Sequence, residues 1–351
     1  MTNEKCRVIF FIIIFLTVIM AFETVAIANS SSVKKVPFST KEECTTVRLD
    51  EPGEPFYNYP YQKQESVGNC YAHVATKLID AWRFQRGEGQ TKNFSSAIEA
   101  SLQYAANTHH SNGPRGGFTC GVVDVLRSVG SCDYNRFNNL TSKRDDGVYI
   151  DKLMNYYKFF HSDSLFATER AKQKVPLKIC KYLSKNMINP EFHPGLQEVL
   201  QSLDQNDKKQ FLVDLLSDNQ NGCTKESRIK LELLPQCQTR SIYSSPQKTA
   251  SMIHSFLDEP HIQPVGIGYC AQVLESSGFR GINRRGNNGN RNFLPSDQCT
   301  GHGSVIIGRR FHKKKCQFLV FGSSHHTEDS EGKVWVDEDD LAANIFQYQF
   351  L

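Results

Sequence analysis

The chain opens on a continuous apolar run, Val8 to Phe22, that no later segment repeats. Lys5 and Arg7 precede it, and Ala26-Ile27-Ala28 follows. A basic start, a short apolar stretch and small residues mark a secretory signal peptide, whereas a membrane span needs about 20 apolar residues. Residues 1–28 are read as that signal peptide and residues 29–55 as a polar N-terminal segment rich in Ser, Thr, Lys and Glu.

Further along, apolar positions fall into helical period. Tyr71, Ala75, Leu78, Ile79 and Trp82 predict a helix opening at Cys70, with Asn69 as N-cap, Arg83 and Arg86 in the last turn and Gly87 as its stop. Ser96 to Ala106 predicts a second helix. Residues 118–129 predict a third, with Val122, Val123, Leu126 and Val129 on one face and Gly130 at its end. Between 150 and 235, groups such as Leu153, Tyr156, Tyr157 and Phe160, or Leu196, Val199, Leu200 and Leu203, continue as amphipathic helices. The pattern then changes. Val305 to Ile307, Phe318 to Phe321 and Val334 to Val336 are β-branched and aromatic runs that predict strands. Helices first and strands later make an α+β chain.

Composition narrows the function. A formal net charge of +4 on 351 residues argues against nucleic acid as the main partner. Eleven cysteines fit an oxidising compartment, so a secreted or periplasmic (extracytoplasmic) protein is expected. Cys120 and Cys132, at the ends of the third helix, would be about 18 Å apart at 1.5 Å per residue, too far to bridge. Cys299 with Cys316, across a turn, and Cys223 with Cys237 are the local candidates for disulfides. No C-x-x-C pair occurs, which disfavours a zinc ribbon or a thioredoxin-type centre, and no cofactor or metal is expected.

The chemistry concentrates at Q-E-S-V-G-N-C-Y-A, Gln64 to Ala72. A cysteine in a first helical turn feels the positive end of the helix dipole, which favours thiolate. Gln64, six residues upstream, can aim an amide back at the sulfur. A thiolate beside an amide donor suits attack on an acyl carbon, one group attacking and the other holding the oxyanion. A buried free cysteine or half a disulfide is the alternative. Among eleven histidines, His302 begins an apolar strand after a glycine and a loop, which suits a base and later proton donor. His73, one turn into the Cys70 helix, is expected to pack in the core.

Gln64, Gly68, Cys70 and Ala72 resemble the Q-x-x-x-G-x-C-W-A segment of papain-like cysteine peptidases, with Tyr71 in place of the tryptophan. P-R-G-G-F, Pro114 to Phe118, resembles the segment that opens a second helix in that family. P-V-G-I-G-Y, Pro264 to Tyr269, and G-H-G-S-V-I-I-G-R-R, Gly301 to Arg310, resemble the strand leading to the catalytic histidine and the strand carrying it. The resemblance implies a papain-like two-lobe α+β fold, a helical lobe facing an antiparallel β-barrel-like lobe. It implies Cys70 as nucleophile, His302 as its partner, Gln64 as oxyanion donor, and Gly68, Gly116 and Gly117 along a peptide-binding cleft. The family commonly bridges cysteines at the positions of Val67 and Pro114, and both halves of that bridge are absent here.

One part of the pattern departs from the family. After the strand Phe318 to Phe321 the family has N-S-W-G, but here Gly322 stands for the asparagine that orients the imidazole and Ser324 for the tryptophan that shields it. Ser323 is a possible third member. His302, His325 and His326 lack an accompanying carboxylate pattern and are not read as a metal site. The distance from Gly117 to His302 exceeds that of papain, so a helical insertion is expected. The domains are then a helical lobe with the nucleophile at 56–149, the insertion at 150–245 and a β lobe with the histidine at 246–351. Residues 278–298, cationic through Arg280, Arg284, Arg285 and Arg291, are expected to form a loop.

Two functions follow. One is an exported thiol-dependent endopeptidase, monomeric and acting on peptide or protein substrates, free of the membrane once its signal is removed and weakened by the missing asparagine. The other is a catalytically silent papain-like protein that binds peptides or a partner through the cleft and insertion.

Overall fold

The structure, a computed structural model, describes residues 39–62, 64, 68–88, 93–108, 116–135, 223, 225–242, 245–258, 260, 262–283, 294–295, 298–323 and 331–351. The signal peptide, most of the expected insertion, Val67, Pro114, Ser324, His325, His326 and the centre of the cationic loop lie outside them.

Helix α1, Cys70–Gln85, runs through the middle of the described chain. Its sequence period predicts one apolar face, yet every residue from Tyr71 to Ala81 is buried. Two cores explain this. Tyr71, Ala72, Ala75 and Ile79 pack on Ala100 and Tyr104 of α2, Ala97–Thr108, and on Val122, Val123 and Leu126 of α3, Thr119–Val129. On the opposite side, Val74, Leu78 and Ala81 meet a sheet through Val305, Ile307, Leu319 and Phe321. Burying each large aliphatic side chain contributes about 1.5–3 kcal/mol.

The main sheet is antiparallel at every pairing. It comprises β1 (Val47–Arg48), β2 (Gln238–Ser241), β3 (Val265–Cys270), β6 (Gly301–His312), β7 (Lys315–Phe321), β8 (Lys333–Asp337) and β9 (Ile345–Phe350). Their order is β2-β9-β3-β6-β7-β8, with β1 added to β6. A separate ribbon pairs β4, Ile282–Asn283, with β5, Leu294–Pro295. Helices α4, Pro246–Phe256, and α5, Glu338–Asn344, lie against the main sheet, with Ile253, Leu257 and Leu341 on Ile267, Tyr269, Ile306, Phe318 and Val320. The class is α+β, as the pattern predicts.

Two local expectations are corrected. Asn69 precedes α1, and its backbone oxygen accepts from Ala72 and His73, but its side chain makes no cap. The amide is instead 3.4 Å from Ser101 Oγ, inside the helical core. The disulfides are Cys44–Cys316, Cys120–Cys237, Cys132–Cys223 and Cys270–Cys299. Neither local pairing forms. Cys316 lies near the start of β7, next to β6, and β1 brings the Cys44 segment to β6. Cys120 and Cys132 sit at opposite ends of α3 in different bridges, as helix geometry requires. These two bridges, with the Arg228–Glu99 ion pair at 2.7 Å, tie residues 223–237 to the helical core.

Candidate active site

Cys70 is the N-terminal residue of α1 and the one free cysteine among the described residues. The backbone N–H groups of Gly303, Tyr71 and Cys70 lie where they favour its thiolate. Burial is the largest influence and pushes the thiol above its ordinary range, while the three amides pull it back. The nearby backbone amides favour thiolate, but desolvation outweighs them.

The contact with Gly303 fixes the approach of strand to helix. A Cβ at position 303 would lie 3.3 Å from Val74 Cγ2 and 3.6 Å from the Cys70 carbonyl carbon and oxygen. A larger residue would push β6 away. His302 is the preceding residue on the same strand. It pairs with Tyr269 of β3, and their rings meet edge to face at 5.8 Å between centroids. The Tyr269 hydroxyl is 3.0 Å from Ser304 Oγ, and burial raises its pKa.

His73 faces the same region one turn into α1. It is 2 % exposed, its Nε2 has no hydrogen-bond partner among the described residues, and burial holds it well below the usual histidine range. Lys77 and His302, in that order, add to this depression. His73 is thus a neutral core histidine, as expected.

Gln64 is clasped by Ser323. The Gln64 backbone N–H donates to the Ser323 carbonyl at 2.8 Å, and Ser323 Oγ donates to Gln64 Oε1 at 3.1 Å. With Oε1 engaged, the Gln64 side chain has its NH2 left to donate. The Ser323 hydroxyl, considered above for His302, is used by Gln64. The Gly322 carbonyl accepts from Lys77 Nζ at 3.0 Å. Sequence reasoning passed over Lys77, although its place at i+7 from Cys70 puts it on the same side of the helix.

The cleft glycines also have local reasons. The Gly116 N–H donates to Gly68 O at 2.9 Å, and both residues adopt positive φ, 63° and 68°. A Cβ at Gly117 would come within 2.6 Å of Tyr71 Cε2 and 2.8 Å of Tyr104 Cε1. The tyrosine in the tryptophan's place therefore packs directly on this glycine.

A second cluster of His, Cys and Glu lies on another part of the sheet. His254 Nε2 is 3.3 Å from Glu338 Oε1 and 3.0 Å from Ser39 Oγ. Arg309 Nη1 sits 2.9 Å from His254 Nδ1, and since a guanidinium only donates, Nδ1 must accept. Nε2 then carries the proton and is not a lone-pair ligand, and Cys316 is already bridged to Cys44. The cluster pins the Ser39–Thr45 segment to the sheet.

No protein-family model matches the sequence, and no curated protein matches it. Solved structures do. Xylellain, a cysteine protease from Xylella fastidiosa, is similar over 87% of this chain and 84% of its own, with 12% identity and a TM-score of 0.41. The proform of the ragweed pollen cysteine protease Amb a 11 is similar over 91% of this chain and 66% of its own, with 11% identity and a TM-score of 0.42. Digestive procathepsin L2 of Tenebrio molitor larval midgut is similar over 90% and 69%, with 10% identity and a TM-score of 0.41.

Proposed function

We propose that the chain is an exported cysteine-type endopeptidase that cleaves peptide bonds through Cys70 and His302. The observation that carries this reading is the close approach of Gly303, on β6, to the first turn of α1, where a Cβ at 303 would lie 3.6 Å from the Cys70 carbonyl. It brings the only described free thiol to the residue that follows His302. In the proposed cycle His302 holds the Cys70 thiolate as an ion pair, and the thiolate attacks the substrate carbonyl carbon. Gln64 Nε2 donates to the oxygen that gains charge. His302 then protonates the leaving amine, and water, deprotonated by His302, releases the acyl group. Gly68, Gly116 and Gly117 would run beside the peptide, which is the substrate class proposed. Four disulfides fit an oxidising, extracytoplasmic location.

The silent-binder reading is favoured by a separate observation. Gly322 supplies no side-chain amide to orient His302, and the Ser323 hydroxyl is committed to Gln64. The two readings separate on one experiment, in which wild type, Cys70→Ala and His302→Ala are exposed to a peptide-derived thiol-reactive probe and a fluorogenic peptide pool. Labelling at Cys70 and cleavage by wild type alone are expected. A folded wild type that takes up no probe and cleaves nothing overturns the peptidase reading and favours the binder.

A further inference from the structure

Lys77 is 3 % exposed, in the middle of α1, and pairs with no carboxylate among the described residues. Its Nζ donates to Gly322 O at 3.0 Å, lies 3.5 Å from Phe321 O and sits 4.1 Å from the centre of the Phe321 ring. A lysine whose charge meets, among the described residues, two carbonyls, a ring and the neutral His73 but no carboxylate partner is costly to bury, and a methionine would fill the same space. The carbonyls it grips belong to the end of β7, immediately before the residue that clasps Gln64. Lys77 therefore bonds the residue before Ser323, which in turn holds Gln64 by its backbone N–H and its side-chain Oε1.

We propose that Lys77 is a positioning residue for the oxyanion donor, acting through the Gly322 and Ser323 backbone on Gln64, and that its protonation state sets how firmly that donor is held. The inference rests on the peptidase reading for its catalytic meaning. The charged form binds the Gly322 carbonyl more tightly than the neutral amine does. Burial lowers the Lys77 pKa to about 7, so the change falls near neutral pH. The charged and titratable groups around it do not replace it. His73, on its own helix, stays neutral, and His302 of β6 acts on His73. Asp80, on the next turn, is engaged with Tyr59, Ser95 and Arg83. Lys333 of β8 lies 5.7 Å from the Phe321 ring centre but is paired with Asp50 and Glu331.

The test has two arms. In the first, kcat and KM for a fluorogenic peptide are measured from pH 5.5 to 8.5 in wild type and Lys77→Met. The wild-type kcat should decline through an inflection near pH 7. Lys77→Met should lack that inflection, with kcat at pH 6 lower by roughly 10- to 100-fold and KM within about twofold. In the second, the Gln64 side-chain amide and Ser323 backbone amide are followed by NMR in Cys70→Ala, which needs no activity. Both signals should titrate near pH 7, still do so when His302→Ala is added, and stop when Lys77→Met is added. Titration that survives Lys77→Met, or cleavage whose kcat and pH profile ignore Lys77→Met, overturns the proposal. Titration that depends on Lys77 in a protein whose wild type cleaves no peptide supports the coupling and sinks the peptidase reading instead.

Discussion

Ser323 holds Gln64 through both backbone and side chain, with its carbonyl accepting the Gln64 N–H at 2.8 Å and its hydroxyl donating to Gln64 Oε1 at 3.1 Å. An amide held by its oxygen cannot turn that oxygen toward a developing oxyanion, which it would repel. The serine therefore selects the rotamer in which nitrogen is the available group.

This predicts graded losses. Gln64→Ala should lower kcat by roughly 10²- to 10³-fold, the usual result of removing one oxyanion donor. Ser323→Ala should cost less, since the backbone half of the clasp survives, and the double variant should be no worse than Gln64→Ala. Additive losses in the double variant would mean that Ser323 acts on something other than Gln64. Steady-state kinetics on one fluorogenic peptide is the measurement.

Gly117 gives a test of packing. Its missing Cβ is occupied by the rings of Tyr71 and Tyr104. Gly117→Ala should destabilise the fold by about 1–3 kcal/mol through overpacking. Gly117→Ala combined with Tyr71→Leu should recover part of that loss, because the nearest clashing atoms belong to Tyr71. Urea denaturation of the three variants measures both quantities, and a fully stable Gly117→Ala would show that the rings yield freely.

Much of the architecture was legible because it rests on period and punctuation. The helix from Cys70, the stop at Gly87, the helix after Gly117 with its end at Gly130, and the strands around Val305, Phe318 and Val334 all follow from local chemistry. The cysteine pairing was not legible, because it depends on which strands become neighbours. Cys44 meets Cys316 across 272 residues only after β1 joins β6. Asn69 misled for a related reason, since a competing partner, Ser101, arrives from α2. The candidate site divides the same way. Cys70, His302 and Gln64 carry motif signals, whereas Lys77 carries none, because its burial depends on the sheet that covers the second face of α1.

Lys77 also makes a stability prediction. An unfolded lysine keeps its proton up to about pH 10.4, whereas the folded group loses it at about 7. Between those values the unfolded chain binds more protons, so stability contributed by this group rises with pH. Below pH 7 both states are charged and the full burial cost is felt. The stability of Lys77→Met relative to wild type should therefore fall with pH, by about 1 kcal/mol per unit between pH 7.5 and 9.5. Urea denaturation at three pH values checks it, and parallel curves would show that Lys77 titrates normally.

The last prediction concerns the thiol. Burial is the largest influence on Cys70 and raises its pKa, and the amides of Gly303, Tyr71 and Cys70 offset only part of that. Backbone amides alone thus leave a thiol, not a thiolate, at neutral pH. A nucleophile needs a positive neighbour, and the proposed one is His302 as imidazolium. Iodoacetamide alkylation of wild type should then remain fast well below pH 7, because the ion pair keeps the sulfur ionised until the carboxylate range is approached. In His302→Ala the rate should fall at neutral pH and rise only above the ordinary thiol pKa of about 8.5, since burial then acts unopposed by charge. His73→Phe should leave the wild-type profile in place, because His73 is neutral and packed in the core. Rates measured from pH 4 to 10 by intact mass decide the matter. Coincident wild-type and His302→Ala profiles would remove His302 from the pair, and a shift caused by His73→Phe alone would assign the role to His73.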